Sequence, residues 1–305
     1  MFHLNQEEYF LMSKPLYMWA GGKKKMIKYY RPIFPSRLIL HIDSYVEPFF
    51  GGGAMFIHIM EQYRPKDVHI NDINADIMSI YRCVRDDYDN FLKRVIYLEQ
   101  QYLPKSKEDR RKFYNDTRHD HAFSYKNWSK TEESATLYFL MKTGFNGIYQ
   151  INQNTGGRYG TPPGLMNQKD KVFDRDIVKW WNHVLQGVHI TSGDWKSNTR
   201  DTKDAFYFFD PPYRSSFADY GNKFGDDELI ELIEFANSKD KSFVCNRDSG
   251  DGWFEKHKMG MTIEKFDITY TAGRRKKETV KDEKGKDKDI YHAKKAKEVL
   301  LWNMR

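Results

Sequence analysis

The sequence has few cysteines and no long apolar run, and both absences narrow what the protein can be. Cys83 and Cys245 are the two cysteines among 305 residues, which excludes a disulfide framework and a cysteine-rich zinc site. No stretch of about 18 apolar residues occurs, so we expect no transmembrane span. The N-terminus lacks the basic region and apolar stretch of a secretory signal. We therefore expect a cytoplasmic protein with no membrane partner.

The chain is rich in large apolar side chains and in positive charge. With 39% hydrophobic and 16% aromatic residues it can bury a substantial core, which excludes a disordered chain. The formal charge of +7 favours a polyanionic partner, because each phosphate neutralised by Lys or Arg releases a counterion. Many basic proteins bind nothing anionic, so charge alone leaves nucleic-acid binding open.

The order of the predicted elements indicates an α/β fold. A strand at Tyr45–Glu47, a glycine-rich turn, a helix from Ala54 and a strand at Val68–Asn71 form a βαβ unit, and hence a parallel sheet. The pattern returns after residue 171, where Phe206–Phe209 is an unbroken apolar run suited to a buried central strand. We predict further elements at Val188–Thr191, Asp226–Asn237 (a helix), Ser242–Asn246, Thr262–Tyr270 and Val299–Trp302.

The middle of the chain, residues 86–171, has a different pattern. It begins with charged, helix-like sequence, continues with an apolar helix face in Glu132–Thr143, and ends in loops with a hairpin over residues 144–167. We predict a mostly helical domain at 86–171, inserted between the halves 1–85 and 172–305 of a Rossmann-like sheet domain. The Lys-rich stretch Arg274–Lys288 has almost no apolar residues, and we expect a loop there.

Two segments of the first βαβ unit predict a ligand that carries adenosine. In the turn Glu47–Gly53 the glycines let the backbone approach a ligand closely at a helix N-terminus. Asp72 ends the next strand, where a carboxylate can accept hydrogen bonds from both ribose hydroxyls. A helix N-cap is the alternative role for Asp72. The turn lacks the G-x-G-x-x-G spacing of a pyrophosphate site, which disfavours a nicotinamide dinucleotide.

A third segment, Asp210-Pro211-Pro212-Tyr213, follows the buried strand at the position where an open α/β sheet places its active site. Two prolines stiffen this turn and fix its carbonyl directions. Asp210 and the Pro211 carbonyl can each accept one N–H of an aromatic amine, while Tyr213 stacks on the base. The alternative is a proline-rich turn with a capping aspartate.

Taken in order, these segments resemble the Dam-type DNA adenine-N6 methyltransferases over most of the chain. The family's motifs stand at Trp19–Lys23, Glu47–Gly53, Asp72–Asn74 and Asp210–Tyr213. The resemblance implies a Rossmann-like sheet that moves a methyl group from S-adenosylmethionine to the N6 amine of a flipped adenine in double-stranded DNA. It implies that catalysis rests on Asp210, Pro211, Pro212 and Tyr213. It further implies a cofactor site formed by Trp19, Gly22, Lys23, Glu47, Phe49, Gly51, Asp72 and Asp210.

The resemblance also implies that the inserted domain recognises DNA. Gly144-Phe145-Asn146-Gly147 looks like the family's aromatic-Asn-Gly hairpin, whose ring can fill the base stack when the adenine leaves it. Packing beneath the hairpin is the alternative for Phe145. Candidate DNA contacts are Phe145, Asn146, Gln150, Arg158 and, in the basic stretch, Arg274.

Two positions depart from the pattern of the family members that read 5′-GATC. Met18 stands where lysine is common, and Gln150 stands where arginine is common. Both basic residues are expected to contact guanine, whereas glutamine suits adenine and methionine cannot donate a hydrogen bond. We hypothesise a relaxed or altered sequence preference, with adenine still the methylated base.

Other functions stay open at this point. The same amine-binding turn suits an RNA adenine or a DNA cytosine-N4 methyltransferase, and the chain can also be a DNA-binding relative without catalysis. A nicotinamide oxidoreductase is disfavoured by the glycine spacing. We expect no metal, because a sulfonium is already an activated donor and no His/Cys/Asp cluster with ligand spacing stands in the sequence.

Overall fold

A computed structural model describes residues 13–19, 23–34, 41–202, 204–214, 224–270, 276–281, 287–292 and 294–305. The chain divides into two compact units, Met1–Lys203 and Asp204–Arg305. Among the described residues, no helix is both long enough and apolar enough to cross a membrane.

The first unit contains the helices and strands that precede residue 204. Its strands are β1 Ser44–Glu47, β2 Asp67–Asp72, β3 Ile151–Asn152, β4 Arg158–Tyr159 and β5 His189–Ser192. Its helices are α1 Ile27–Tyr30, α2 Ala54–Gln62, α3 Ala75–Asp86, α4 Tyr88–Tyr102, α5 Lys107–Phe123, α6 Lys130–Thr143, α7 Arg175–Val184 and α8 Trp195–Asn198. Short 3₁₀ turns lie at Lys23–Lys25, Tyr125–Asn127 and Gln153–Thr155, and a tight turn with a left-handed backbone lies at Phe145–Gly147.

The sheet of the first unit is parallel. β2 pairs with β1 on one side and with β5 on the other, both in parallel register. Parallel neighbours need a crossover, which α2 supplies between β1 and β2. The apolar residues of α3 recur at helical spacing and are buried: Ile77, Ile80, Tyr81 and Val84. The predicted βαβ unit is confirmed.

Helices α4, α5 and α6 fill most of residues 86–171, so this segment is mostly helical as expected. The helix α6 starts at a capping box between Ser129 and Glu132. It buries Tyr138 and Phe139 in addition to the predicted face, because it packs against α3, α4 and α5 at once. Ser134 of α6 shares a hydrogen bond with Ser79 of α3. The boundaries of a separate inserted domain at residues 86 and 171 stay a prediction.

The second unit begins with a buried strand and ends with an antiparallel edge. Its elements are β6 Ala205–Phe209, α9 Asp226–Asn237, β7 Lys241–Asp248, α10 Trp253–His257, β8 Thr262–Tyr270, β9 Lys276–Lys281, β10 Asp287–His292 and β11 Lys294–Met304. Strands β6 and β7 are parallel, and β11 lies antiparallel between β7 and β8. Every residue of β6 is buried, as its apolar run predicts. With parallel strands and covering helices in both units, the Rossmann-like α/β class is confirmed.

The expected loop over Arg274–Lys288 is wrong for the residues of this stretch that the structure describes, 276–281 and 287–288. β9 and β10 form an antiparallel ribbon in which Lys276 pairs with His292 and Lys281 with Asp287. The lack of apolar residues did not exclude strands here, because the backbone N–H and C=O groups of an antiparallel pair bond to each other and need no apolar core of their own.

A buried histidine makes the first unit sensitive to acid. His121 of α5 is 0% exposed, and neither of its ring nitrogens has a hydrogen-bond partner among the described residues. Burial, with the nearby positive charge of Arg158, lowers the pKa of His121 from 6.5 to about 4. The folded protein therefore holds this ring neutral at a pH where the unfolded chain binds a proton.

We predict that the free energy of unfolding falls as the pH drops from about 6.5 to about 4. His121 accounts for at most about 3 kcal/mol of this fall, from about 1.4 kcal/mol per pH unit. His121→Phe should flatten that part of the urea-denaturation profile. His58→Phe should have a similar effect, because burial also lowers the pKa of His58 to about 4. A His121→Phe profile as steep as that of the wild type would refute the assignment.

Candidate active site

The glycine-rich turn after β1 is fixed by hydrogen bonds on both sides of Gly51. The Gly51 N–H donates to Asp72 Oδ2 at 2.8 Å, and the Gly51 carbonyl accepts from the hydroxyls of Tyr17 and Tyr81 at 3.3 and 3.2 Å. Burial raises the pKa of both tyrosines, so their hydroxyls remain protonated donors. The backbone of Gly51 is left-handed, at φ +48°, a conformation that favours glycine. The turn is therefore held in one conformation.

Asp72 lies at the carboxyl end of β2 and bridges this turn to the next helix. Its Oδ2 accepts from Gly51, and its Oδ1 accepts from the backbone N–H of Asn74 at 2.9 Å. The N-cap of α3 is Asn74, whose side chain accepts from Asp76 and Ile77. The N-cap alternative for Asp72 is therefore wrong. The two backbone N–H groups fix the orientation of this carboxylate at the strand end, where the sequence predicts a contact with ribose.

Trp19 packs directly on the glycine turn. A Cβ at Gly51 would lie 2.6 Å from the indole Nε1, and a Cβ at Gly52 would lie 2.8 Å from the Trp19 Cβ. Glycine at both positions is what lets the half-buried indole sit against the turn. Trp19 also approaches Tyr149, with ring centroids 6.2 Å apart. The first unit thus brings Trp19, Gly51 and Asp72 together, although their role in binding a cofactor stays a prediction.

The other predicted cofactor residues of the first unit lie in varied surroundings. Lys23 is buried, at 4% exposure, and the buried Glu47 accepts a hydrogen bond from Tyr45. Phe49 is half-buried and its ring lies 6.2 Å from that of Trp195. Gly22 lies outside the described residues.

In the second unit, residues 210–213 follow β6 directly, as predicted. Asp210, Pro212 and Tyr213 are half-buried, and Pro211 is buried. The Tyr213 hydroxyl donates to Glu298 Oε1 at 2.8 Å, and the guanidinium of Arg247 lies 5.2 Å from the Tyr213 ring centre. The ring of Tyr213 is therefore held at one face by Arg247 and at its hydroxyl by Glu298. The alternative of a turn capped by Asp210 stays open.

Three supporting residues were not found from the sequence. Asn246 of β7 accepts from the Arg214 N–H at 3.1 Å and donates to the Pro212 carbonyl at 3.4 Å, which ties the turn to the neighbouring strand. Glu298 of β11 is fully buried beneath Tyr213. In the first unit, the buried Asn71 donates to the carbonyls of Pro48 and Gly193. A polar residue at or beside the end of an apolar run was the available signal in each case.

The predicted DNA-contacting segment begins with the tight turn Phe145–Gly147, and the hairpin itself is β3 with β4. Phe145 is 43% exposed, so the alternative in which it packs beneath the hairpin is wrong. Asn146 has a left-handed backbone, at φ +51°, and an exposed side chain. Met18, which is 64% exposed, lies against Gly147. An exposed apolar surface therefore adjoins the turn.

The remaining predicted DNA contacts differ in how they are placed. The side chain of Gln150 is exposed, while its backbone is fixed by hydrogen bonds to Thr161 and Gly160. Arg158 forms an ion pair with Glu133 and lies 3.6 Å above the Tyr125 ring centre, so its guanidinium is engaged within the protein. Arg274 lies outside the described residues. DNA contact by any of these residues stays a prediction.

One group of side chains has the donors that metals prefer. Asp67, His69 and His189 place their ligand atoms within 4.8 Å of one another. The sequence alone gives no sign of this group, because 120 residues separate the two histidines and the pairing of β2 with β5 brings them together.

Comparison with known proteins identifies the family. The model of the D12 class N6 adenine-specific DNA methyltransferases matches residues 19–277. The chain belongs to this family. A type II methyltransferase of Methanocaldococcus jannaschii, M.MjaIII, is 33% identical over 236 residues, which are 75% of this chain and 81% of that protein.

Two further relatives agree with this assignment. M.CviBI, a type II methyltransferase of Paramecium bursaria Chlorella virus NC1A, is 30% identical over 73% of this chain and 78% of its own length. The DNA adenine methylase of Escherichia coli K12 is 22% identical over 85% of this chain and 90% of its own length. The resemblance inferred from the motifs is confirmed, the chain is an adenine-specific DNA methyltransferase, and the oxidoreductase alternative is wrong.

We predict that Gly147→Ala damages the exposed segment more than Gly157→Ala does. Both glycines have a left-handed backbone, at φ +62° and +75°, so each alanine costs about 1–2 kcal/mol. The new Cβ at Gly147 would lie 2.3 Å from the Met18 Cβ, whereas no described atom lies within 4 Å of that at Gly157. Methylation of DNA should therefore fall on the order of 10-fold or more in Gly147→Ala, because small misplacements are costly. Equal activity of the two variants would refute the contact.

Proposed function

We propose that the chain transfers the methyl group of S-adenosylmethionine to the N6 amine of an adenine that leaves the stack of double-stranded DNA. The observation that carries this proposal is the carboxylate of Asp72, which is oriented by two backbone hydrogen bonds beside the glycine turn. Family membership supplies the reaction type, and the geometry of Asp72 supports an adenosine-bearing donor.

The residues of the first unit fit such a cofactor. A half-exposed carboxylate at a strand end is the group that accepts ribose hydroxyls, and Asp72 is partly accessible. Trp19 offers an indole face against the turn, and Lys23 and Glu47, which the family resemblance assigns to the cofactor site, are buried charged residues of the same unit. When bound, S-adenosylmethionine supplies a methyl group already activated by its sulfonium. No residue of the chain then has to activate the donor.

The residues of the second unit suit the acceptor. An adenine amine is weakly nucleophilic, because its lone pair is delocalised into the ring. Asp210 and the Pro211 carbonyl accept its two N–H groups and turn the lone pair toward the donor. Tyr213 stacks on the base, and its hydrogen bond to Glu298 fixes the plane of the stack. Positioning and these two acceptors do most of the catalysis.

Extrusion of the base requires that the gap in the duplex be filled. Unstacking a base costs a few kcal/mol, which an inserted side chain can offset. Phe145 is exposed on a turn whose backbone is fixed by hydrogen bonds to Pro162 and Ile148. An exposed ring on a rigid turn suits this wedge role, and Met18 beside Gly147 extends its apolar surface.

The first experiment measures transfer of labelled methyl from S-adenosylmethionine to duplex DNA, followed by digestion to nucleosides. We expect label in N6-methyladenine, and we expect Asp210→Ala to lower its rate by about 100-fold or more. Asp227→Ala removes an exposed carboxylate of the same unit and should leave the rate unchanged.

Other outcomes separate the alternatives. Label in N4-methylcytosine, or label that enters RNA and not DNA, would replace the proposed substrate with one of the open ones. Binding of S-adenosylmethionine without any transfer, or no binding at all, would favour a DNA-binding relative without catalysis. Full activity of Asp210→Ala would remove that residue from the reaction.

We propose in addition that the sequence preference differs from strict 5′-GATC. Neither Met18 nor Gln150 can make the bidentate contact to guanine that arginine makes. Mapping of the methylated adenines on DNA of mixed sequence should therefore find modified sites outside GATC. The double variant Met18→Lys, Gln150→Arg should shift the preference toward GATC. Methylation confined to GATC in the wild type would refute the hypothesis.

A further inference from the structure

Asp67, His69 and His189 form a cluster at the start of two neighbouring strands. Asp67 and His69 are two positions apart on β2, so their side chains lie on the same face of the sheet. His189 on β5 is the register partner of His69. The two imidazole rings stack in parallel, with centroids 4.3 Å apart and an interplanar angle of 2°.

The ligand atoms of these three side chains lie within 4.8 Å of one another. His69 Nε2 lies 2.8 Å and His189 Nε2 lies 3.8 Å from the same oxygen, Asp67 Oδ1. These separations are close to those between neighbouring ligands around one metal ion, whose bonds to nitrogen and oxygen are about 2.0–2.2 Å long. The stacked rings place both Nε2 atoms on the side of the carboxylate.

The Nε2 atom of His69 has two neighbours that need opposite hydrogen-bonding roles from it. Its Nε2 faces Asp67 Oδ1 at 2.8 Å and the Arg200 guanidinium, Nη1, also at 2.8 Å. A neutral imidazole nitrogen either donates or accepts, so it cannot serve the carboxylate and the guanidinium together. A metal cation removes the conflict, because Nε2 and Oδ1 then both direct lone pairs toward it. Arg200 Nη1 also lies 3.7 Å from Asp67 Oδ1, so a positive charge already lies beside the carboxylate and the imidazole.

We propose that Asp67, His69 and His189 bind a divalent transition metal of the zinc class. Two imidazoles and one carboxylate are a donor set that zinc accepts in tetrahedral geometry, with the fourth position left to water. The site requires Arg200 to swing aside, and its side chain is 52% exposed. Arg200 thus competes with the metal for Asp67 and His69.

The position of the site gives it a structural role. Asp67 begins β2 and Asp72 ends it, so along the strand Asp67 lies about 16 Å and His69 about 10 Å from Asp72, at about 3.3 Å per residue. A metal there joins β5 to β2 and stabilises that strand pair. The predicted methyl-transfer chemistry needs no metal, but the proposed site departs from the expectation that the chain holds none.

The test is equilibrium dialysis of the full chain against Zn²⁺, together with the absorption spectrum of the Co²⁺ form. We expect one ion per chain and visible d–d bands of low-coordinate Co²⁺. His189→Ala should weaken binding by more than the roughly 10–100-fold that loss of an outer partner costs. Arg200→Gln should strengthen binding, because the competing cation is gone. His119→Ala, which removes an exposed histidine of α5, is the matched control and should change nothing.

The variants remain informative if one of them misfolds. His189 is exposed, so its loss is expected to leave the fold intact, and thermal unfolding without metal verifies this. Zn²⁺ should raise the unfolding temperature of the wild type and not that of His189→Ala. Absence of binding in both the wild type and Arg200→Gln would overturn the proposal, and so would equal binding by His189→Ala and the wild type.

Discussion

The hydrogen bond from the Gly51 amide to the Asp72 carboxylate joins the carboxyl ends of two parallel strands, β1 and β2. It fixes the glycine turn at one end and the aspartate at the other, and further contacts build on it. The hydroxyls of Tyr17 and Tyr81 hold the opposite side of Gly51, and Trp19 lies on the turn. A carboxylate that accepts backbone N–H groups needs no reorganisation when a ligand arrives, which is the physical basis of a preformed site.

In the second unit, other side chains hold the turn that follows the central strand. Residues 210–213 follow a strand that is buried throughout, and side chains of neighbouring strands hold the turn. Asn246 of β7 bonds to both ends of the Pro212–Arg214 backbone, and Glu298 of β11 holds the Tyr213 hydroxyl. In both units the motif residues are positioned by buried polar residues that no motif contains. A search for motifs alone therefore finds the candidate site residues and misses the buried polar residues that position them.

The parallel strands could be predicted from the sequence, because β2 and β6 have clear apolar patterns. The motif positions could be predicted too, because the active site of such a sheet lies at the carboxyl ends of its strands. The sequence did not predict features that depend on local capping geometry or on which strands pair with each other. The ribbon of β9 and β10 has few apolar residues and forms through backbone pairing. The N-cap of α3 is Asn74, which local sequence does not distinguish from Asp72. Contacts between distant residues, such as His69 with His189, depend on the strand order and have no local signal.

Asp72 holds the turn and, in the proposed function, also receives the adenosine of the methyl donor. The most direct measurement is calorimetric binding of S-adenosylmethionine to the wild type and to Asp72→Asn. The amide retains one acceptor oxygen and loses the charge, and hydrogen bonds to charged groups contribute about 1.5–3 kcal/mol. Kd for S-adenosylmethionine should therefore rise by about 10–100-fold in Asp72→Asn. An unchanged Kd in a folded variant would contradict this role of Asp72.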